Sequence, residues 1–322
     1  VKRDAVGEPT LEPAVESDGD ELLSLFERVF GKRPSEAHWR WKYGGPSVDG
    51  AASNWIVRES ETHRPVFHYG GLPAKLRTPL GELPIRIAVD AMTSPEFRGR
   101  GFLRLAGRDV FAEWRRSGVV AVIGLPNLAG TRIGAGFDKI GELRWYWRPL
   151  RPWLLDRLLR RRTAGAHPVR ADDAAFDAIW QTLRREDAFS IVRDRAWIRW
   201  RHHSEHDGAH LFGAHRDAHE LGYVAINEKG VLTSLCAPKQ DDAVASSLIE
   251  VALEFARERK LNSVRALAVP GSSTARALRK AGFVPRRFGF DVHLAVLDEA
   301  LARTTVRDLR HWCLQGSDFD VV

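Results

Sequence analysis

The chain has little cysteine, no long apolar run and no patterned set of metal ligands. Of its 322 residues only two are cysteine, Cys236 and Cys313. Two are too few for a disulfide framework and have no zinc-type spacing. A reducing compartment is therefore expected, with both residues as buried thiols rather than nucleophiles. No stretch approaches the roughly 20 apolar residues of a membrane helix, Val119 to Pro126 being among the longest. Val1-Lys2-Arg3-Asp4 lacks the apolar segment of a secretory signal, so a soluble cytoplasmic protein without membrane contact is expected. Six of the twelve histidines fall between His202 and His219, and His202 and His206 have helical spacing. Asp207-Gly208 marks a turn there and no companion ligands accompany them, so the stretch is read as a polar loop with a strand and no metal is expected.

With 44% hydrophobic and 28% charged residues the chain is globular in composition, and its length suits two domains of ordinary size. A net charge of +7 suits an anionic partner: nucleic acid, anionic lipid or an anionic small molecule. The densest basic cluster, Arg157 to Arg162, is followed by Ala164-Gly165-Ala166 and reads as a solvated helix end and linker. It carries no interleaved aromatics and no recognition helix, which disfavours nucleic acid. Most of the eleven tryptophans, among them Trp145, Trp147 and Trp153, are expected as core or interface anchors.

The most informative stretch is Val89-Asp90-Ala91-Met92-Thr93-Ser94-Pro95-Glu96-Phe97-Arg98-Gly99-Arg100-Gly101-Phe102-Leu103. A short strand ends at a Ser-Pro turn, and a basic glycine-punctuated loop runs into an amphipathic helix over Phe102 to Arg116. Such a loop leaves backbone N–H groups aimed outward at the positive end of a helix dipole, a natural seat for phosphate or pyrophosphate. Gly99 and Gly101 allow close backbone approach, and Arg98 and Arg100 add charge. An ordinary strand–turn–helix junction with two surface arginines has the same local sequence.

The chain also repeats itself. Trp39-Arg40-Trp41-Lys42-Tyr43 is echoed by Ile198-Arg199-Trp200-Arg201-His202. Each follows a helical segment, Asp20 to Phe30 and Ala174 to Arg185. Each precedes strands: Asn54 to Glu59 and Val66 to Leu72 in the first half, His210 to Ala214 and Glu220 to Ile226 in the second. A helix follows in each (Phe102 to Arg116, Val244 to Glu258), then a strand (Val119 to Leu125, Ser263 to Val269), a short helix and a Gly-Phe pair, Gly136-Phe137 and Gly282-Phe283. A period of about 145 to 160 residues is a domain duplication rather than a solenoid, and the alternation predicts mixed α/β sheets covered by helices. At the loop position the second copy reads Ala237-Pro238-Lys239-Gln240-Asp241-Asp242-Ala243. It has no glycine, and two aspartates there repel an anion.

Pro95-Glu96-Phe97-Arg98-Gly99-Arg100-Gly101 resembles the acyl-CoA-binding signature of the GNAT superfamily of N-acetyltransferases, an Arg/Gln-x-x-Gly-x-Gly/Ala loop after the fourth strand. Leu103 stands where small single-domain members have Gly or Ala, a departure similar to the tandem-domain, enhanced-intracellular-survival branch. Gly124-Leu125-Pro126-Asn127 resembles the end of the fifth strand. The resemblance implies a mixed α+β protein of two tandem GNAT-like domains, each a largely antiparallel sheet covered by helices. Their expected limits are 8–150 for the acyl-CoA-binding catalytic domain, 151–168 for a basic linker, 169–298 for a degenerate second domain and 299–322 for a C-terminal tail.

It implies transfer of an acetyl or other short acyl group from acyl-CoA to a primary amine on a small molecule or protein, with acetyl-CoA as co-substrate. Ala91, Met92 and Thr93 match the strand that pairs with pantetheine, and Gly99, Arg100, Gly101, Phe102, Leu103 and Arg104, with Arg98, match the pyrophosphate loop. Asn127 matches a residue that bonds pantetheine or the nucleotide side, and an N-cap is its other reading. Tandem relatives carry a tyrosine acid where this chain has Arg132. Asp90 is a candidate base, or a structural carboxylate. The terminal carboxylate of Val322, at the end of Gly316-Ser317-Asp318-Phe319-Asp320-Val321-Val322, is the other candidate by analogy with relatives, although termini commonly fray. Tyr43 and Tyr69 remain possible acids. Two other functions stay open: a tandem aminoacyl transferase using aminoacyl-tRNA, against which the intact Arg-Gly loop argues, and a non-catalytic module that senses acyl-CoA or binds nucleic acid.

Overall fold

The computed structural model describes residues 10–43, 46–47, 50–126, 137–150, 166–202, 208–216 and 219–320. Two compact units emerge: Val1–Lys75 with Leu83–Lys139 and His293–Thr304, and Leu76–Glu82 with Ile140–Val292 and Thr305–Val322.

The first unit contains, in chain order, β1 (Glu12–Pro13), α1 (Gly19–Phe30), α2 (Glu36–Tyr43), β2 (Pro46–Ser47), β3 (Gly50–Ala51), β4 (Ser53–Arg58), β5 (Pro65–Thr78) up to residue 75, β6 (Gly81–Thr93) from residue 83, α3 (Phe102–Arg116) and β7 (Ala121–Gly124). Its sheet runs β1-β4-β5-β6-β7, with residues 293–296 laid antiparallel along β7. β1 with β4 and β4 with β5 are antiparallel, whereas β6 and β7 are parallel. α3 buries Phe102, Ala106, Val110, Phe111 and Trp114, the stripe of a 3.6-residue period, against Phe67, Tyr69 and Val122. α1 and α2 contribute Leu22, Leu23, Leu25 and Trp39 to a separate cluster with Ile56 and Met92. α1 stops at Gly31, whose left-handed φ of 75° lets its N–H bond the Glu27 carbonyl.

The second unit contains β8 (Asp138–Pro149) from residue 140, β9 (Ala166–Pro168), α4 (Ala175–Leu183), β10 (Phe189–Ile191), α5 (Arg195–Arg201), β11 (His210–Arg216), β12 (His219–Ile226), β13 (Val231–Cys236), α6 (Asp242–Glu258), β14 (Ser263–Ala268), α7 (Ser273–Lys280), β15 (Val284–Val296) up to residue 292, and β16 (Trp312–Cys313). The sheet order is β15-β8-β14-β13-β12-β11-β9, again with a parallel step, β13 to β14. α6 packs Leu248, Ile249, Ala252 and Leu253 against Val224, Leu232 and Val264. Both units are thus mixed α+β with mostly antiparallel sheets, as the repeat implies.

Three expectations change. Residues 140–149 fall in the second unit and 293–304 in the first, a division different from 8–150 and 169–298. Of the expected linker 151–168, residues 151–165 lie outside the described residues, and 166–168 are not linker but the edge strand β9, paired with β11. The segment after residue 299 is no loose tail. β16 pairs in parallel with β10, and Leu314, Gln315, Ser317, Asp318 and Phe319 are all buried. Arg193 anchors it through Asp318 (Nε–Oδ1 2.9 Å, Nη2–Oδ2 2.5 Å) and Arg201 through the carbonyls of Ser317 and Phe319 (2.7 and 3.0 Å). Burial opposes the charge of Arg193, but the Asp318 carboxylate beside it outweighs that and holds the guanidinium above its usual range.

Candidate active site

In the first unit β6 outruns its parallel neighbour. The register pairs Ile85 with Ala121 and continues to Ala88 with Gly124, where β7 ends, while β6 continues to Thr93. Residues 89–93 therefore extend past the end of β7, and backbone polar groups on that side need a partner from elsewhere. At the start of this overhang Asp90 takes a left-handed φ of 47°. Aspartate tolerates that region better than most residues, yet such a conformation inside a strand costs of order 1–3 kcal/mol and persists only where surrounding contacts impose it.

Those contacts are polar. The Asp90 Oδ2 accepts hydrogen bonds from the Tyr43 hydroxyl at 2.6 Å and from Lys42 Nζ at 2.7 Å, with the Lys42 side chain only 2% exposed and that of Asp90 12%. The Asp90 carbonyl receives His68 Nδ1 at 2.8 Å, and His68 Nε2 faces Asn54 Oδ1 at 3.3 Å. Complete burial pushes the His68 imidazole below its usual pKa, only partly opposed by its bond to Asp90. A neutral ring that donates through Nδ1 keeps its lone pair on Nε2, which suits the Asn54 amide turned to present its NH2. Gly70 makes room for this cluster: a Cβ there would stand 2.7 Å from the Tyr43 hydroxyl oxygen. Tyr43 and Asn54 also line a cleft of about 880 Å³ together with Trp39, Ser53, Arg86 and Trp114.

Past Thr93 the chain turns at Ser94, whose N–H bonds the Val66 carbonyl and whose hydroxyl holds the exposed Glu96 carboxyl below its ordinary pKa. Arg100 stacks its guanidinium 4.5 Å from the centre of the Phe97 ring. Gly99 and Gly101 have φ of 81° and 83°, which a side chain would strain although the space around them is open. α3 begins at Gly101 with no side-chain cap, and the amides of Gly99 to Leu103 have no backbone partner among the described residues. The first unit therefore combines an extended strand edge with a row of backbone N–H groups that have no backbone partner among the described residues at a helix start, where an anion is stabilised.

The second unit has the same parts, already filled. β13 and β14 pair in parallel at Val231–Arg265 and Leu232–Ala266, then part. In the gap Gln315 accepts a hydrogen bond from the Leu235 N–H at 2.8 Å, donates to the Leu235 carbonyl at 2.9 Å and bridges to Ala268. The side-chain amide thereby takes up the strand edge. The helix that follows, α6, is capped by the Asp241 carboxylate, which accepts the Val244 N–H and pairs with Arg216. Lys239 is engaged by the Glu186 carbonyl and Asp187. The cavity left beside Tyr223, Cys236, Cys313 and Gln315 holds about 40 Å³, space for very little beyond a water or two. Cys236 is buried and Cys313 half-buried; burial raises both thiols, Cys313 to about 12, so neither is a ready nucleophile.

The expected residues thus fall into three groups. Asp90, Ala91, Met92 and Thr93 lie on the overhang, and Arg98 to Arg104 on the loop and first helical turn. Met92 points into the α1–α2 core, so only its backbone is available to a ligand. Asn127, Arg132 and Val322 lie outside the described residues. Tyr69 is buried against Phe111 and Trp114, which keeps its hydroxyl protonated well above the usual range. Lys42, His68 and Asn54 were not singled out by the sequence. The repeated Trp-Arg-Trp-Lys-Tyr motif was the available signal, because its last two residues reach Asp90, while their echoes Arg201 and His202 reach the C-terminal segment and Ser234.

No family model matches the chain, and no curated protein matches it. Solved structures do. A GCN5-related N-acetyltransferase from Kribbella flavida aligns with TM-score 0.67 and 18% identity over 90% of this chain and 72% of that one. One from Anabaena variabilis aligns with TM-score 0.67 and 12% identity over 90% and 73%. The Saccharomyces cerevisiae N-myristoyltransferase with bound myristoyl-CoA gives 0.63 and 12% over 91% and 85%. At such identities the likeness is one of fold, which is the GNAT fold. Among the described residues no helix is long and apolar enough to cross a membrane.

Proposed function

We propose that the chain is a tandem GNAT-type N-acyltransferase that moves an acetyl or other short acyl group from acyl-CoA to a primary amine. The observation that carries this reading is the β6 overhang leading into the uncapped Arg98–Leu103 loop, on a fold shared with acetyl- and myristoyltransferases. Pantetheine amides would pair with the backbone of Ala91 to Thr93, and the pyrophosphate would sit on the amides of Gly99 to Leu103 with Arg98, Arg100 and Arg104 nearby. The amine lone pair attacks the thioester carbonyl carbon, the oxyanion draws on an N–H of the overhang, and the C–S bond breaks as sulfur takes a proton. The cleft beside Tyr43 and Asn54 is the acceptor's approach. Asp90, poised by Lys42 and Tyr43, receives the proton that the ammonium loses, directly or through water; the terminal carboxylate of Val322 is the competing base. The departure at Leu103 supports placement near the enhanced-intracellular-survival branch.

The test is thiol release from acetyl-CoA, and from acyl-CoA of increasing chain length up to myristoyl, against a panel of small amines and lysine peptides. Acyl-CoA-dependent acylation of at least one amine is the expected result. CoA binding without turnover on any acceptor would make the chain an acyl-CoA sensor, and the absence of CoA binding would remove the reading altogether.

A further inference from the structure

The histidine-rich stretch carries no metal-ligand spacing along the sequence. Folding builds one from residues far apart. In the second unit His167 on β9 lies opposite Gly213 of β11, and His215, two residues along β11, lies opposite Glu220 of β12. Side chains two apart on a strand share a face, and cross-strand partners share it too. The three side chains therefore converge from three adjacent strands. His167 Nδ1 and His215 Nδ1 are 3.3 Å apart, and His167 Nε2 is 2.9 Å from Glu220 Oε1. One donor atom from each residue lies within 4.8 Å of the other two.

We infer that His167, His215 and Glu220 form a binding site for a borderline divalent cation of the zinc type on the β9–β11–β12 edge of the second unit. The two imidazoles have the spacing of two ligands on one ion, and Glu220 offers a third donor within 4.8 Å. Two nitrogens each about 2.0–2.1 Å from a tetrahedral zinc stand about 3.3–3.4 Å apart, the separation the two imidazoles already have. Two imidazoles and one carboxylate are a donor set that zinc prefers over magnesium or calcium, which want oxygen. Without metal, each nitrogen of His167 faces one of its two neighbours; uptake exchanges one of those contacts for a bond to the ion.

Room for movement exists. His215 is exposed, and Glu220 Oε2 is buried with no hydrogen-bond partner among the described residues. Gly213 keeps the floor clear, since a Cβ there would come within 2.8 Å of Glu220 Oε2. A bulge between Ala214 and His215 sets the register that brings Glu220 opposite His215. Bound metal would tie β9, which among the described residues pairs with β11, to β11 and to β12 beyond it. The inference is independent of the acyl-transfer reading.

The experiment is titration of the full-length chain, stripped by chelator, with zinc chloride near neutral pH, read by calorimetry and by melting temperature. Cobalt(II) absorption serves as a geometry probe. One ion per chain is expected, with a rise in melting temperature and an intense tetrahedral cobalt spectrum. His167→Ala and His215→Ala should each weaken binding by about tenfold or more and remove the thermal shift, and Glu220→Gln should weaken it similarly. His210→Ala, whose ring pairs with Glu228 elsewhere in the unit, should change nothing. Circular dichroism of the metal-free variants checks folding; if His167→Ala misfolds, exposed His215→Asn carries the test. No saturable binding, or binding that survives His215→Asn unchanged, would overturn the site.

Discussion

At Asp90 a left-handed backbone, a buried lysine and a tyrosine hydroxyl meet in one residue. Removing the carboxylate charge takes away the anion facing Lys42. Asp90→Asn should therefore lower stability by about 3–5 kcal/mol as well as turnover by about a hundredfold or more. The two effects separate in Lys42→Met/Asp90→Asn, which should regain most of the stability in denaturant titrations and none of the turnover. Wild-type turnover in that double variant would exclude Asp90 as base and leave Val322 or water. His68 adds a pH term. Burial lowers its folded-state pKa, so below the unfolded value of about 6.5 the unfolded chain takes up a proton that the folded chain refuses. Stability should thus fall as pH drops through that value toward the folded pKa, and His68→Gln should flatten this part of the profile in urea unfolding at several pH values.

At the scale of elements, the decisive contrast is between two helix starts. α3 begins at a glycine with positive φ and no cap, whereas α6 begins under the Asp241 carboxylate. Gly101→Glu should strain the left-handed turn, put a like charge where the proposed function would seat the pyrophosphate and abolish CoA binding, with the melting temperature showing whether the fold survives. Lys239→Ala should leave CoA affinity within about threefold, roughly 0.65 kcal/mol. Much of this was legible beforehand. Glycine at 99 and 101 and aspartate at 241 and 242 are local chemistry, and the observed α3 has the limits its apolar period implied. The polar cluster was not legible, because Lys42, His68 and Asp90 come from three elements, α2, β5 and β6, and meet only when these pack together. The limits of the units also escaped the repeat, since residues 293–296 pair with β7 far from their own copy.

For the molecule as a whole, the gap between the parallel strands of the second unit is filled by Gln315 of the segment after residue 312, whereas among the described residues the β6 overhang of the first unit has no such side chain on it. The Arg193–Asp318 pair, with both side chains almost fully buried, is one of the anchors of that segment, beside the Arg201 bonds and the β16–β10 pairing. Asp318→Asn should cost about 3–5 kcal/mol in chemical denaturation, because it strands a buried guanidinium, and a loss below 1 kcal/mol would deny the segment its structural role. The central claim is that acyl-CoA binds only where β6 overhangs β7. Titration calorimetry of the intact chain with CoA tests it most directly. The account predicts one CoA per chain, lost in Gly101→Glu and retained in Lys239→Ala; two CoA per chain, or unchanged binding in Gly101→Glu, would contradict it.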